Sequence, residues 1–384
     1  MPEPWQTGGF GAYIHWPYCE AKCPYCDFNS HVTRFIDHTA WRDAYSAEID
    51  LIASRLPDRV LTSVFFGGGT PSLMEPRTIE TVLDRLSSHY TFTNNIEITL
   101  EANPSSVEAA KFSDFRSAGI NRVSLGVQAL NDYDLKRLGR LHSLEDAMQA
   151  LDIAQSTFQR VSFDLIYARQ DQTEEDWAKE LTQALSREPD HLSLYQLTIE
   201  KGTAFGDRFA AGKLGGLPTD AQSSDMYFIT QDLCEQAGLP AYEVSNHAKK
   251  GAESRHNLIY WNSGDFLGIG PGAHGRYTNN GQRFETATEL SPQNWLRLSN
   301  SGRATTTAVI APDDWGLEMV LMGLRLSEPL YLDRLEQETG LKINNQRIKS
   351  LAADGLLEHG DSWIKVTPKG RPLLNAVLVE LLRD

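Results

Sequence analysis

The sequence predicts an α/β protein: parallel strand–helix units fill the first 200 residues, and a compact helical, winged-helix-like unit closes the chain. Three observations carry that expectation. Short apolar runs alternate about six times with helical stretches, the order that parallel β/α units with right-handed crossovers produce. Glycine and polar residues punctuate the ends of those runs, where α/β folds place their ligands. Beyond residue 310 the pattern becomes two helices, two short strands and a last helix.

Residues 11–15 form the first apolar run. Residues 60–66 form the second and end at Gly67-Gly68-Gly69-Thr70-Pro71. Residues 96–100 end at Glu101-Ala102-Asn103-Pro104, and residues 122–127 end at Gln128. Residues 160–167 and 191–197 complete the six, with helical stretches such as 43–56, 77–89 and 145–155 between them. An open doubly wound sheet and a barrel both fit this alternation. Residues 219–237 read as an amphipathic helix with Thr219 as N-cap and Gly238 as its stop, and Cys234 on it reads as core. Residues 240–300 are rich in Gly, Asn, His and aromatics with weak periodicity. Residues 332–339 and 344–354 read as two helices parted by Gly340. The expected division is a β/α core over 1–235, a connecting segment over 236–309 and the C-terminal unit over 310–384.

At 384 residues the chain has room for two or three domains. With 36 Lys+Arg against 51 Asp+Glu the net charge is −15, which argues against a chain-wide nucleic-acid surface. The C-terminal unit has nine Lys+Arg and twelve Asp+Glu, so no DNA binding is expected of its winged helix. No apolar run reaches a membrane span and the first residues lack a signal-peptide pattern, so a cytoplasmic location is expected.

The sharpest motif is Cys19-Glu20-Ala21-Lys22-Cys23-Pro24-Tyr25-Cys26. Thiols this close suit a loop wrapped around a metal centre. Three of them satisfy three irons of a [4Fe–4S] cluster and leave the fourth open. A structural zinc site completed by His15 or His31, or plain buried thiols, remain alternatives on spacing alone.

This spacing, after a first strand and before β/α units, resembles the radical S-adenosylmethionine (SAM) superfamily. The resemblance implies a partial (β/α)6-type barrel in which SAM chelates the open iron and supplies radical chemistry. It narrows through Tyr13-Ile14-His15-Trp16-Pro17-Tyr18-Cys19, Gly67 to Pro71, Glu101 to Pro104, Ser124-Leu125-Gly126-Val127-Gln128 and Phe163-Asp164-Leu165-Ile166-Tyr167. In this order they resemble the oxygen-independent coproporphyrinogen III oxidase family over nearly the whole chain. The resemblance implies a SAM site lined by Tyr13, Tyr25, Gly68, Gly69, Thr70, Glu101, Gln128, Arg140 and Asp164. Carboxylates and Gln128 suit ribose hydroxyls or the SAM amino group, and Arg140 suits a carboxylate.

Two departures redirect the expected activity. Phe28 stands where the oxidase has a further Cys, and the oxidase's longer N-terminal extension is missing before Cys19. Both match the sister branch of HemW-like heme chaperones. His256-Asn257-Leu258-Ile259-Tyr260-Trp261 resembles that branch's H-N-x-x-Y-W heme signature. The resemblance implies His256 as heme-iron ligand, Asn257 as its orienter or a propionate partner, and Tyr260 and Trp261 as flat surface for the porphyrin. His247 and His274 are weaker candidates for a second ligand. A third departure, Ala168-Arg169-Gln170-Asp171, replaces the family's Gly-Leu-Pro run after Tyr167.

The expected function is therefore heme binding and delivery to recipient hemoproteins by a protein carrying one [4Fe–4S] cluster on Cys19, Cys23 and Cys26 together with SAM. The alternatives are radical SAM decarboxylation of coproporphyrinogen III to protoporphyrinogen IX, and radical chemistry on some other substrate. An electron donor, a homodimer and peripheral contact with membrane respiratory complexes are compatible partners.

Overall fold

Strand β1 (Phe10–Trp16) is buried on both faces, as a central parallel strand must be. The structure, a computed structural model, describes residues 3–383. Strands β2 (Val60–Gly68), β3 (Thr91–Ala102), β4 (Arg122–Gln128), β5 (Arg160–Tyr167) and β6 (His191–Gln196) follow β1 in chain order, each parallel to the one before. Helices α1 (His38–Ala53), α2 (Pro76–His89), α3 (Leu144–Thr157) and α4 (Glu174–Leu185) lie in the crossovers. Local sequence starts several of them. The Asp37 carboxylate caps α1 by accepting from the amides of Thr39 and Ala40, and Ser143 with Asp146 and Thr173 with Asp176 form capping boxes on α3 and α4. Helix α5 (Asp220–Gln236) begins at a Thr219 capping box and stops before Gly238, which takes φ 72°.

The main sheet does not end with the sixth unit. Residues 236–309, expected to connect, contribute five further strands: β7 (Asn246–Ala248), β8 (Asp265–Ile269), β9 (His274–Asn279), β10 (Gln282–Thr288) and β11 (Thr305–Val309). β8 pairs parallel with β1, and β9 to β11 extend that edge antiparallel, while β7 closes the other edge on β6. The eleven-stranded order is β11-β10-β9-β8-β1-β2-β3-β4-β5-β6-β7. Close packing at glycines hides β8 and β9 from a periodicity reading. A Cβ on Gly268 would lie 2.1 Å from the His274 carbonyl oxygen, and one on Gly275 2.5 Å from Thr286 Oγ1. Side-chain alternation is absent where only glycine fits.

Helix α6 (Arg255–Trp261) crosses the concave side of this sheet. Its first amides donate to Glu97 of β3, its His256 reaches Ser63 of β2, and Arg122 of β4 donates to the Ala252 carbonyl just before it. Helix α6 thus packs on β2 and β3 and the loop before it on β4, an inner layer in keeping with the partial barrel expected.

The C-terminal unit builds a second core from Trp315, Met319, Val320, Leu335, Ile348, Leu351, Ile364 and Val377. Helix α7 (Pro312–Gly323) leads into strand β12 (Leu330–Tyr331), α8 (Leu332–Thr339), α9 (Asn345–Ala353), the hairpin β13 (Leu357–His359) and β14 (Trp363–Val366), and α10 (Leu374–Leu382). Gly340, at φ 77°, ends α8 as the sequence indicates. Among the described residues no helix is long and apolar enough to cross a membrane.

Candidate functional site

Strand ends and one loop bring the predicted residues into two adjoining neighbourhoods. The first surrounds the thiols. Cys19 ends a two-residue strand paired with His31–Val32, and Cys23 and Cys26 follow on the loop, where the Cys26 amide donates to the Cys23 carbonyl at 3.2 Å. All three are half-buried and unbridged. Burial, followed by weaker effects that include their mutual repulsion, pushes the Cys19 and Cys26 thiols up. Arg140 points one guanidinium nitrogen at Cys23 Sγ, 3.4 Å away, and the other at Asn103 Oδ1 and the Gly126 carbonyl. Tyr25 packs on an apolar cluster with Phe205 and Leu214. Thr70 is buried, with its hydroxyl 3.2 Å from Asn103 Nδ2. Gln128 takes φ 73°, which turns the chain at the end of β4.

Glycines in this neighbourhood answer a steric demand. At Gly68, φ is 112° and a Cβ would meet the His15 ring at 2.6 Å. At Gly69 a Cβ would lie 2.7 Å from the Tyr18 carbonyl oxygen. The β2 end therefore lies directly against the strand that carries Cys19.

Among the described residues no three His, Cys, Asp or Glu side chains converge tightly enough to clasp a single ion. His15 and His31 are engaged elsewhere: His15 by Tyr13 Oη and the Asn29 carbonyl, His31 by Asn29 Oδ1. A single zinc site is not preformed. Three free thiols on one loop, with a buried guanidinium on one of them, fit a cluster whose irons occupy separate corners.

The second neighbourhood is a cavity of about 530 Å³ on the concave side of the barrel. It joins residues expected to serve two ligands: Tyr13, Gly68 and Glu101 from the SAM set, and His256, Asn257, Tyr260 and Trp261 from the heme set. Glu101 accepts from the Gly68 amide at 3.2 Å, and burial followed by the charge of Asp164 pushes its carboxyl up to about 8. Asp164 rises to about 6 through burial, held back by the hydroxyls of Ser193 and Ser124. Burial likewise raises the Tyr13 phenol.

His256 is 1% exposed, and both ring nitrogens are engaged: Nδ1 with Ser63 Oγ at 2.8 Å, Nε2 with Tyr260 Oη at 2.6 Å. Its ring stacks on Phe65, with centroids 5.1 Å apart. Burial lowers its pKa to about 3, so the imidazole is neutral. Asn257 Nδ2 sits 3.5 Å from Tyr242 Oη, and Trp261 carries the Arg325 guanidinium over its ring. His247 lies outside the cavity, against Gln231. His274 lines it.

Sequence reasoning missed the far wall. Trp315, Glu318 and Met322 of α7 line the cavity at helical spacing, and Arg276 pairs there with Glu318 at 3.0 Å. The sequence pattern placed a helical unit from Pro312 onward but no separate helix over α7, so neither the helix nor the face it turns towards the barrel was read. The Ala168 to Asp171 departure is a structural anchor: the buried Arg169 guanidinium pairs with Asp134 at 2.8 Å and Glu180 at 2.6 Å.

With this geometry established, comparison with known proteins is direct. The Radical SAM superfamily profile matches residues 13–184, and the HemN C-terminal domain profile matches residues 310–373. Heme chaperone HemW from Haemophilus influenzae is 37% identical over 97% of this chain and 97% of its own length. The chain belongs to the HemW heme-chaperone branch of the radical SAM superfamily. HemW from Escherichia coli is 36% identical over 97% of this chain and 98% of its own length. A zebrafish relative, radical S-adenosyl methionine domain-containing protein 1, mitochondrial, is also 36% identical, covering 97% and 86%. The solved coproporphyrinogen III oxidase (HemN) of Escherichia coli shares the fold, with a TM-score of 0.80 over 97% of this chain and 89% of its own at 24% identity. Radical SAM membership implies a [4Fe–4S] cluster and SAM.

Proposed function

We propose that the protein binds heme in the cavity between the barrel and α7 and hands it to recipient hemoproteins, with a [4Fe–4S] cluster on Cys19, Cys23 and Cys26 and SAM beside it. The observation that carries this reading is the shared wall: the H-N-x-x-Y-W residues of α6 face a cavity completed by Phe65, Phe266, Trp315 and Met322. Such a mixture of flat apolar surface and a few polar groups suits a cofactor-sized ligand, and the volume lies within the usual range for one. Arg276 stands at the wall already paired with Glu318, and the buried Trp261 indole N–H has no partner among the described residues. An unpaired indole N–H suits an acceptor such as a propionate oxygen.

When bound, the cluster and SAM supply one-electron chemistry. This chain's own residues position them. Arg140 orients the loop through Cys23, Gly68 and Gly69 let the β2 end approach closely, and Glu101 offers a carboxyl towards the cavity. Phe28 on the cavity wall, in place of a further thiol, favours the carrier reading over decarboxylation. The test is a hemin titration of the cluster-loaded protein, followed by mixing with an apo-hemoprotein. A saturable Soret band that moves to the acceptor supports the proposal. Conversion of coproporphyrinogen III with SAM and a reductant, without heme retention, supports the oxidase instead.

A further inference from the structure

Three imidazoles line the cavity, and they differ in what their nitrogens are doing. His15 has both engaged, by Tyr13 Oη and the Asn29 carbonyl, each at 3.0 Å. His256 has both engaged, by Ser63 and Tyr260, and is enclosed by Phe65 and Tyr13. To ligate a metal, His256 must give up a 2.6 Å hydrogen bond inside a closed wall. His274 is exposed to the cavity, and among the described residues its ring has no hydrogen bond, ion pair or ring contact. A ligating imidazole needs a free nitrogen lone pair, and orientation improves when the residue sits on a rigid element.

His274 has such an element beneath it. It opens β9, directly after a turn in which Gly270 and Gly272 take φ 99° and 83°. A Cβ on Gly272 would meet Asn29 Nδ2 at 2.4 Å. Asn29 itself donates to the carbonyls of Pro271 and Leu290, at 3.0 and 2.9 Å. Asn29 is three residues beyond Cys26, so the loop that carries the thiols is pinned to the turn that presents His274.

Resting on the heme-binding reading above, we infer that His274 is the protein's axial ligand to heme iron, that His256 is a positioning residue holding Tyr260 in the wall, and that Asn29 couples the ligand's turn to the thiol loop. The bond formed is a dative one from a ring nitrogen of His274 to iron. No electron transfer or leaving group is needed.

The experiment titrates hemin into the full-length protein and into His274→Ala, His256→Asn and Asn29→Ala, following the Soret band and the ferric EPR spectrum. The wild type should saturate with a histidine-ligated spectrum. His274→Ala should shift the band and weaken binding by roughly tenfold or more, and added imidazole should restore the wild-type spectrum. Because the His274 side chain is exposed and unpartnered, its removal leaves the fold intact, and imidazole rescue separates ligand loss from misfolding. His256→Asn should keep the histidine-ligated spectrum. Asn29→Ala should bind hemin with a heterogeneous EPR signal. The assignment is overturned if His274→Ala binds with the wild-type spectrum and affinity, or if imidazole leaves its spectrum unchanged. A wild type that takes up no hemin removes the heme-binding reading itself, a result distinct from loss of the ligand assignment alone.

Discussion

Glu101 is a carboxyl that the barrel keeps out of water. Its ordinary value is 4.5, and burial followed by Asp164 carries it to about 8. Between those values the folded protein holds a proton that the unfolded chain has released, so stability falls as pH rises through that window. Asp164, raised to about 6, acts in the same direction. Glu101→Gln removes the larger effect. Free of SAM, the wild type should lose stability relative to this variant between about pH 5 and pH 8, by an amount on the order of a few kcal/mol. Parallel melting curves for the two proteins contradict this. Gly68 gives a second test. With φ at 112° and His15 2.6 Å from any added Cβ, Gly68→Ala should cost about 1–3 kcal/mol and lower the melting temperature. A silent substitution means that the β2 end is looser than described. At this scale the sequence was informative wherever the chemistry was clustered. The three cysteines, the glycine run and the H-N-x-x-Y-W segment stood out because their spacing is local. The engagement of His256 by Ser63, 193 positions away in the chain, leaves no local mark.

Helices and strands explain what was harder to read. The six parallel units and the capped helices were legible because apolar periods and N-cap residues are short-range signals. Strands β8 and β9 were not, because Gly268 and Gly275 sit in close packing that leaves no side chain to alternate, and β11 was not, because nearly all of it is exposed and shows no buried face. Helix α7 was read neither as a separate helix nor as a cavity wall, since the first helix read in the C-terminal unit was 332–339. The Trp315 of α7 belongs to the C-terminal core and also lines the cavity, beside Glu318 and Met322. Enlarging one of these side chains tests the wall. Met322→Trp should narrow the cavity and weaken hemin binding by roughly tenfold or more, because an overfilled pocket must repack to admit the ligand. Its far-ultraviolet circular dichroism should stay unchanged, since Met322 is only half-buried. Unaltered affinity in this variant places the heme elsewhere.

Across the whole molecule, the thiol loop and the cavity are neighbours joined by Asn29 and the β2 end, with separate ligand sets. Replacing Cys19, Cys23 and Cys26 with Ser should abolish bound iron and sulfide after reconstitution while leaving hemin uptake in place; joint loss of both contradicts two separate sites. The C-terminal core and the main sheet together set α6 and α7 on opposite sides of the cavity. The most direct test of the central claim is an anaerobic hemin titration of the cluster-loaded, full-length protein beside Met322→Trp. The account predicts one saturable Soret-active heme per chain, weakened in the variant. No saturable band, or identical binding by both proteins, contradicts it.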